Sequence, residues 1–263
     1  MNSTPQSAGG PPSRREAGSP DWRELVPRDQ LDTLHETAGL LGRAGVSALL
    51  GGAFAIGSHV GRWRGTKDID FFLRERDRDA AIEAMRQAGF GDYHDQLAYD
   101  RSWIFRACRG EAIVDMIWTI PNHVTDVDDV WFERAKPVAI DGRSYAALPL
   151  EELIWIKLFV LQRDRCDWPD VINLVRANAA QIDWERLLGR IGEHEPLLFA
   201  LLHVVEWLSP AAVAKLPPWM RARFHLGERP QPRGREAEAQ RVALLDSRSW
   251  YAALVPPSEL MEP

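Results

Sequence analysis

The sequence predicts an α/β (α+β) protein: a mixed β-sheet core followed by a small helical domain. Three observations lead there. Short apolar runs alternate with helical patterns as far as about Ala146, the mark of a mixed sheet with packed helices. After Leu148-Pro149, helical patterns follow one another with few strand signals between them. Finally, two acidic side chains, Asp68 and Asp70, lead straight into the apolar run Phe71-Phe72-Leu73, where a strand should bury its faces.

The elements follow in chain order. Residues 1–21 are rich in Pro, Gly and Ser and offer too little apolar surface to offset ordering entropy, so a disordered leader is expected there. Order should begin near Trp22. Leu31, Leu34, Ala38 and Leu41 recur at helical spacing, with Gly42 as a stop. Ser47–Leu50 is a short apolar run halted by Gly51-Gly52, and 53–60 suits a helix. Ile69–Leu73 reads as a strand and Asp79–Ala88 as a helix ended by Gly89. Trp103–Ala107 and Ala112–Trp118 are further strands, joined by an Arg-Gly-Glu turn at 109–111. The α/β domain is thus expected over 22–146 and the helical domain over 147–225, with helices at 150–163, 168–178, 184–191 and 196–208. An Arg- and Pro-rich tail, 226–263, carries one short helix at 236–245.

Composition narrows the function classes. The 263 residues are 45% hydrophobic and 27% charged, with a net charge of −6. A protein that coats DNA generally needs a surplus of Lys and Arg to displace counterions, so no general DNA binding is expected. The longest stretch without Asp, Glu, Lys or Arg, 44–61, is broken by glycines, Ser47, Ser58 and His59 and makes a poor bilayer span; no membrane association is expected. Cys108 and Cys166 form no zinc spacing or disulfide framework, and the amino terminus lacks an apolar signal region. A cytoplasmic location is expected.

The chemistry is concentrated between residues 48 and 73. An Asp-x-Asp triplet carries little information, since roughly one is expected by chance in a chain this long. Asp77/Asp79 and Asp126/Asp128 both precede helical stretches, where capping explains them. Asp68/Asp70 differs. Residues two apart on a strand share a face, so both carboxylates point one way while Ile69 points the other. Adjacent like charges at the mouth of an apolar strand repel and resist desolvation, and a divalent cation would reverse both penalties. The plainer reading is an exposed strand start with solvated acids.

Asp115 lies in Ala-Ile-Val-Asp-Met-Ile-Trp, flanked on its own face by Ile113 and Ile117. An ionised Asp is almost never fully buried unless it is paired or ligates a metal. Two explanations compete: metal ligation with Asp68 and Asp70, or a salt bridge to an arginine such as Arg106. Three carboxylates on neighbouring strands suit magnesium, which favours oxygen ligands and leaves positions open for phosphate oxygens. Gly51-Gly52, between strand and helix, offers backbone amides and a positive helix end to a phosphate. Among flanking cations, Arg64 is placed better than Arg62 or Lys67 to receive phosphate charge. Lys157, alone in Leu-Ile-Trp-Ile-Lys-Leu-Phe-Val-Leu, either reaches across a cleft to a triphosphate or snorkels to solvent. Arg163, Arg165 and Asp167 read as surface pairs on a turn. His59, beside the glycines, is the one histidine of interest; none has HExxH spacing.

Together, Gly51-Gly52, Asp68-Ile69-Asp70 and Asp115 resemble the nucleotidyltransferase domain of the DNA polymerase β superfamily. RGTKDIDFFL is similar to small bacterial members, including antibiotic and toxin-type nucleotidyltransferases. EELIWIKLFVLQRDRCDWPDV (151–171) is similar to the helix pair of such proteins, and the resemblance spans about residues 30–178. It implies a nucleotide cleft between sheet and helices, with an NMP moved from an NTP such as ATP to an acceptor hydroxyl and pyrophosphate released. It implies two Mg2+ ions held by Asp68, Asp70 and Asp115, with Asp115 also favouring deprotonation of the acceptor, and it favours the triphosphate role for Lys157. A small-molecule acceptor is expected over a tRNA end or a protein. The rival is a catalytically silent nucleotide- or partner-binding relative, such as a toxin–antitoxin component. In one respect the chain departs from the pattern: many members carry Ser after the first glycine, where this chain has Gly52.

Overall fold

The structure, a computed structural model, describes residues 22–228, 234–245 and 252–253. The expected leader 1–21, and those parts of the tail outside these ranges, lie outside the described residues. Two helices, α1 (Trp22–Leu25) and α2 (Arg28–Arg43), open the chain. There follow β1 (Ala48–Leu50), α3 (Gly52–Val60), β2 (Arg62–Trp63), β3 (Asp68–Leu73), α4 (Arg78–Gln87), β4 (Gly91–Asp92), β5 (Ile104–Arg109) and β6 (Ala112–Ile117). Next come α5 (Asp129–Glu133), β7 (Lys136–Ile140) and β8 (Arg143–Ala147). Six helices then run in succession: α6 (Leu150–Leu158), α7 (Trp168–Asn178), α8 (Trp184–Ile191), α9 (Glu195–Leu208), α10 (Pro210–Val213) and α11 (Pro218–Arg223). Beyond them lie α12 (Arg235–Leu245) and a two-residue strand, β9 (Ala252–Ala253), paired with β2.

Seven strands form one mixed sheet in the order β4-β5-β6-β3-β1-β8-β7. β3 runs parallel to β6 and β1 parallel to β8, whereas β1 and β3, β5 and β6, and β7 and β8 are antiparallel. Alternation along the strands divides the core. Ile69, Phe71 and Leu73 of β3, with Val114 and Met116 of β6, pack with Leu31 and Leu34 of α2 and Met85 of α4. On the opposite face Phe72, Ile104 and Ile117 join Leu153, Trp155, Val171 and Leu174 of the helical part. One face is therefore closed by the amino-terminal helices and the other by the carboxy-terminal ones, and the acids of β3 project on the latter. Among the described residues no helix is long and apolar enough to cross a membrane.

Most expected elements are present, with shifts of one or two residues at their ends. Two differences matter. No element is expected from the sequence over 136–147, yet β7 and β8 form a hairpin there. Its two-residue loop, Asp141-Gly142, has φ of 48° and 77°, as a type I′ turn requires. The helix expected over 150–163 ends at Leu158, and 159–167 folds back as a turn closed by a bridge between Leu161 and Cys166. Its apolar pattern continues past 158, so periodicity alone could not mark the stop.

Candidate active site

Sheet register builds the acidic centre. In the parallel β3–β6 pair Asp70 lies directly opposite Asp115, and in the antiparallel β5–β6 pair Asp115 lies opposite Arg106. Asp68, two residues before Asp70, shares its face. One carboxylate oxygen from each of Asp68, Asp70 and Asp115 lies within 4.8 Å of the others, the single such cluster among the described residues. Asp68 and Asp70 are half-buried and Asp115 is 2% exposed. Thr66 Oγ1 donates to Asp68 Oδ1 at 2.6 Å. Arg106 Nε and Nη2 donate to Asp115 Oδ1 and Oδ2 at 2.8 and 2.6 Å, and Nη2 also lies 3.8 Å from Asp68 Oδ2. Of the two explanations that the sequence leaves open for Asp115, the salt bridge to Arg106 is present, and the same carboxylate also converges with Asp68 and Asp70.

Burial and like charge act together on this centre. Desolvation, followed by the charges of Asp68 and Asp115, pushes the Asp70 carboxyl up to about 7. Burial also raises Asp115, against the hydrogen bonds and charge of Arg106. Three oxygen donors converge on a shared space, where burial and mutual repulsion make it costly to ionise all of them together. The donor set fits a hard dication such as magnesium.

The glycine turn is tied to the same acids. Gly51 N–H donates to the Asp70 carbonyl at 2.8 Å, so this amide belongs to the sheet; a Cβ at Gly51 would strike the Phe72 ring at 2.4 Å. Gly52 has φ of 51°, and a Cβ there would fall 1.7 Å from Asp70 Oδ2. In this chain a side chain at residue 52 would collide with Asp70, and the positive φ also favours glycine. The first helical bond of α3 runs from Ala55 N–H to Gly51 O, leaving the amides of residues 52–54 without intrahelical acceptors. Gly52 and Ala53 line the cavity.

That cavity has a volume of about 710 Å³ and lies between the sheet face and the helical part. Across from the triad stands a wall of paired charges. Lys157 Nζ, almost buried, donates to Asp167 Oδ2 at 2.7 Å and lies 3.0 Å from Asp170 Oδ2. Arg165 Nε and Nη2 donate to the two oxygens of Asp167 at 3.2 and 3.1 Å, and Arg64 Nη2 to Asp170 Oδ2 at 3.2 Å. Burial alone would raise Asp167, but the Lys157 charge and the hydrogen bonds from Arg165 and Lys157 hold it below its ordinary value. Lys157 and Arg165 both act electrostatically on Asp70. Trp103, Ile104, Ile117 and Phe159 supply apolar surface beside these charges.

The structure therefore brings Gly52, Arg64, Asp68, Asp70, Asp115 and Lys157 to one cavity, while Gly51 stands behind it in the sheet. Lys157 does not snorkel; its ammonium is held between two aspartates. The expectation of surface pairs at Arg163, Arg165 and Asp167 is corrected for Asp167, which is 8% exposed because the early end of α6 folds the turn back over Lys157. Arg165 is exposed and paired as expected, at the rim of the cavity. Asp170 and Arg106 are further cavity residues that sequence reasoning did not place there. A lone cation on an apolar helix was the available signal that buried acids lay nearby. His59 is structural: Nε2 bonds the Leu148 carbonyl at 3.0 Å, and burial lowers its pKa. Asp128 caps α5 as expected, accepting from Val130 N–H, whereas Asp77 makes no capping bond.

A family model described as "Uncharacterised nucleotidyltransferase" matches residues 29–209, more than half of the chain. No curated protein matches it in sequence. Among solved structures, an antigenic nucleotidyltransferase-like protein from Paracoccidioides brasiliensis is similar, with 19% identity, a TM-score of 0.48 and coverage of 75% of this chain and 98% of that one. The antibiotic-resistance factor ANT(2'')-Ia gives 18% identity, a TM-score of 0.47 and coverage of 66% and 96%. The lincosamide antibiotic adenylyltransferase LnuA gives 14%, 0.40, and 57% and 97%. With a family model matching more than half of its length, and the glycine pair and three carboxylates it was expected to carry, the chain belongs to this nucleotidyltransferase family.

Proposed function

We propose that the protein transfers a nucleoside monophosphate from an NTP to a hydroxyl of a small-molecule acceptor, in a magnesium-dependent reaction that releases pyrophosphate. The observation that carries this reading is the convergence of Asp68, Asp70 and Asp115 at the floor of a cavity whose opposite wall bears Lys157, Arg165 and Arg64. The acids would hold the dications, a pair in this reading, which when bound neutralise triphosphate charge and assist the in-line displacement. The amides of Gly52 and Ala53, at the positive end of α3, would receive phosphate oxygens. Lys157, Arg165 and Arg64 would face the same triphosphate, held in place beforehand by Asp167 and Asp170.

The acceptor oxygen attacks the α-phosphorus, the bond to the bridging oxygen of the β-phosphate breaks, and pyrophosphate departs with that electron pair. Asp115, buried and hydrogen-bonded through both oxygens to Arg106, is the group that favours loss of the hydroxyl proton. A cavity of about 710 Å³ and a net charge of −6 suit a small acceptor better than a nucleic acid.

The test supplies each α-labelled NTP with magnesium, first to the protein alone and then with RNA or a metabolite extract. Label should move to an acceptor, and Asp70→Ala and Asp115→Ala should each lower the rate by at least about a thousandfold. Movement of γ-label alone would mean a kinase. Nucleotide binding without transfer of any label would mean a silent relative.

A further inference from the structure

The guanidinium of Arg106 already occupies the charge environment that a dication would enter. Its place is set by the sheet, because β5 and β6 put it opposite Asp115. Both oxygens of Asp115 accept from it, and Asp68 lies 3.8 Å away. The strand behind it is pinned as well: Arg106 N–H donates to Tyr99 Oη, which donates to Asp92, itself paired with Arg101. The Tyr93 ring lies 5.6 Å from the guanidinium carbon. An arginine does not step aside by losing a proton. Any dication bound by Asp68, Asp70 and Asp115 therefore shares the site with a fixed positive charge.

We propose that Arg106 is a positioning residue acting as a resident counter-cation that couples metal binding to nucleotide binding. In the metal-free protein it holds Asp115 in place among like charges. Its charge opposes a dication arriving alone, and an anionic triphosphate, entering from the Lys157 wall, offsets that opposition. Metal and nucleotide thus bind each other's form of the protein better than either binds the free protein, a reciprocal coupling. A residue that merely oriented a ligand would act in the opposite direction, strengthening metal binding. The inference rests on the proposed metal–nucleotide site.

The experiment measures Mn2+ binding by electron paramagnetic resonance, with and without an α,β-methylene NTP that cannot transfer. Without nucleotide, Arg106→Gln should bind Mn2+ at least about tenfold more tightly than the wild type, a modest effect for a unit charge beside a dication in a partly buried site. The gain in affinity on adding nucleotide should shrink by a similar factor. Arg106→Lys, which keeps the charge, should stay within about threefold of the wild type. Unchanged or weaker Mn2+ binding in Arg106→Gln would overturn the proposal. If that variant does not fold, a tenfold or greater loss in Arg106→Lys would overturn it, because geometry and not charge would then govern affinity. A wild type that binds no Mn2+ even with nucleotide would end both this proposal and the reading it rests on. Mn2+ results as expected without α-label transfer would end only the latter.

Discussion

At the scale of single residues, Asp70 shows what the site does to stability. Its carboxyl is raised to about 7 by desolvation and by Asp68 and Asp115, while in the unfolded chain it titrates near 4. The native state therefore holds a proton that the unfolded state releases between these values. Stability linked to this group is fully present below about pH 4 and is lost as pH rises through 7. Asp70→Asn removes the penalty. In EDTA at pH 8 it should be more stable than the wild type by about 2 kcal/mol, a figure discounted for residual solvent contact, with the gap closing towards pH 4. Urea unfolding across that pH range checks this, and parallel wild-type and variant curves would refute it. Addition of Mg2+ should narrow the gap at pH 8, because only the wild type keeps all three acids. Residue types were legible in the sequence here, since paired acids on a strand and an acid in a buried run already signal strain. The function of Gly52 was not, because the atom that excludes its side chain, Asp70 Oδ2, comes from a strand 16 or more residues away and only the fold brings it near.

At the scale of elements, the short span of α6 matters most. Lys157 sits in its last turn, nearly buried, and a buried ammonium is tolerable only with acids beside it. The reversal over 159–167 delivers Asp167, and the first turn of α7 delivers Asp170. Lys157→Met should leave two buried carboxylates short of a partner and destabilise the protein by about 3 kcal/mol. Adding Asp167→Asn should recover part of that loss, and a double-mutant cycle by urea unfolding measures the coupling. A loss below about 0.5 kcal/mol would mean that Arg64 and Arg165 satisfy the pair alone. Strands and helices with strong alternation or period, such as β3, β6, α7 and α8, could be read directly from the chain. The end of α6 could not, because the apolar pattern runs on through Phe159-Val160-Leu161, past the last helical residue. The β7–β8 hairpin could have been found from Asp141-Gly142, a turn pair between Val138-Ala139-Ile140 and Tyr145-Ala146-Ala147; exposed Lys136, Pro137 and Arg143 obscured its strand pattern.

At the scale of the whole molecule, the cavity depends on a core that the sheet and the helical part share. Leu49, Phe72, Ile104 and Ile117 of the sheet belong to the same buried cluster as Leu153, Trp155, Leu174 and Leu202 of the helices. Trp131 of α5 is fully buried in that cluster, with its ring centroid 6.0 Å from that of Phe72. The sheet also packs a second cluster against α2 and α4 on its far face, but the strands carry both clusters, so loss of the shared one should unseat the sheet and neither part should outlast the other. Urea unfolding followed by far-UV circular dichroism and by tryptophan fluorescence should give coincident transitions. Trp131→Ala should shift both together, lowering stability by about 3–5 kcal/mol. Separate transitions, or a shift in one signal alone, would show independent units and a cleft free to open between them. If the transitions coincide, the triad on the sheet and the Lys157–Arg165 wall on the helices are held in register by one cooperative structure. A substrate then meets charges whose positions were fixed when the chain folded, so little reorganisation is left for the reaction itself.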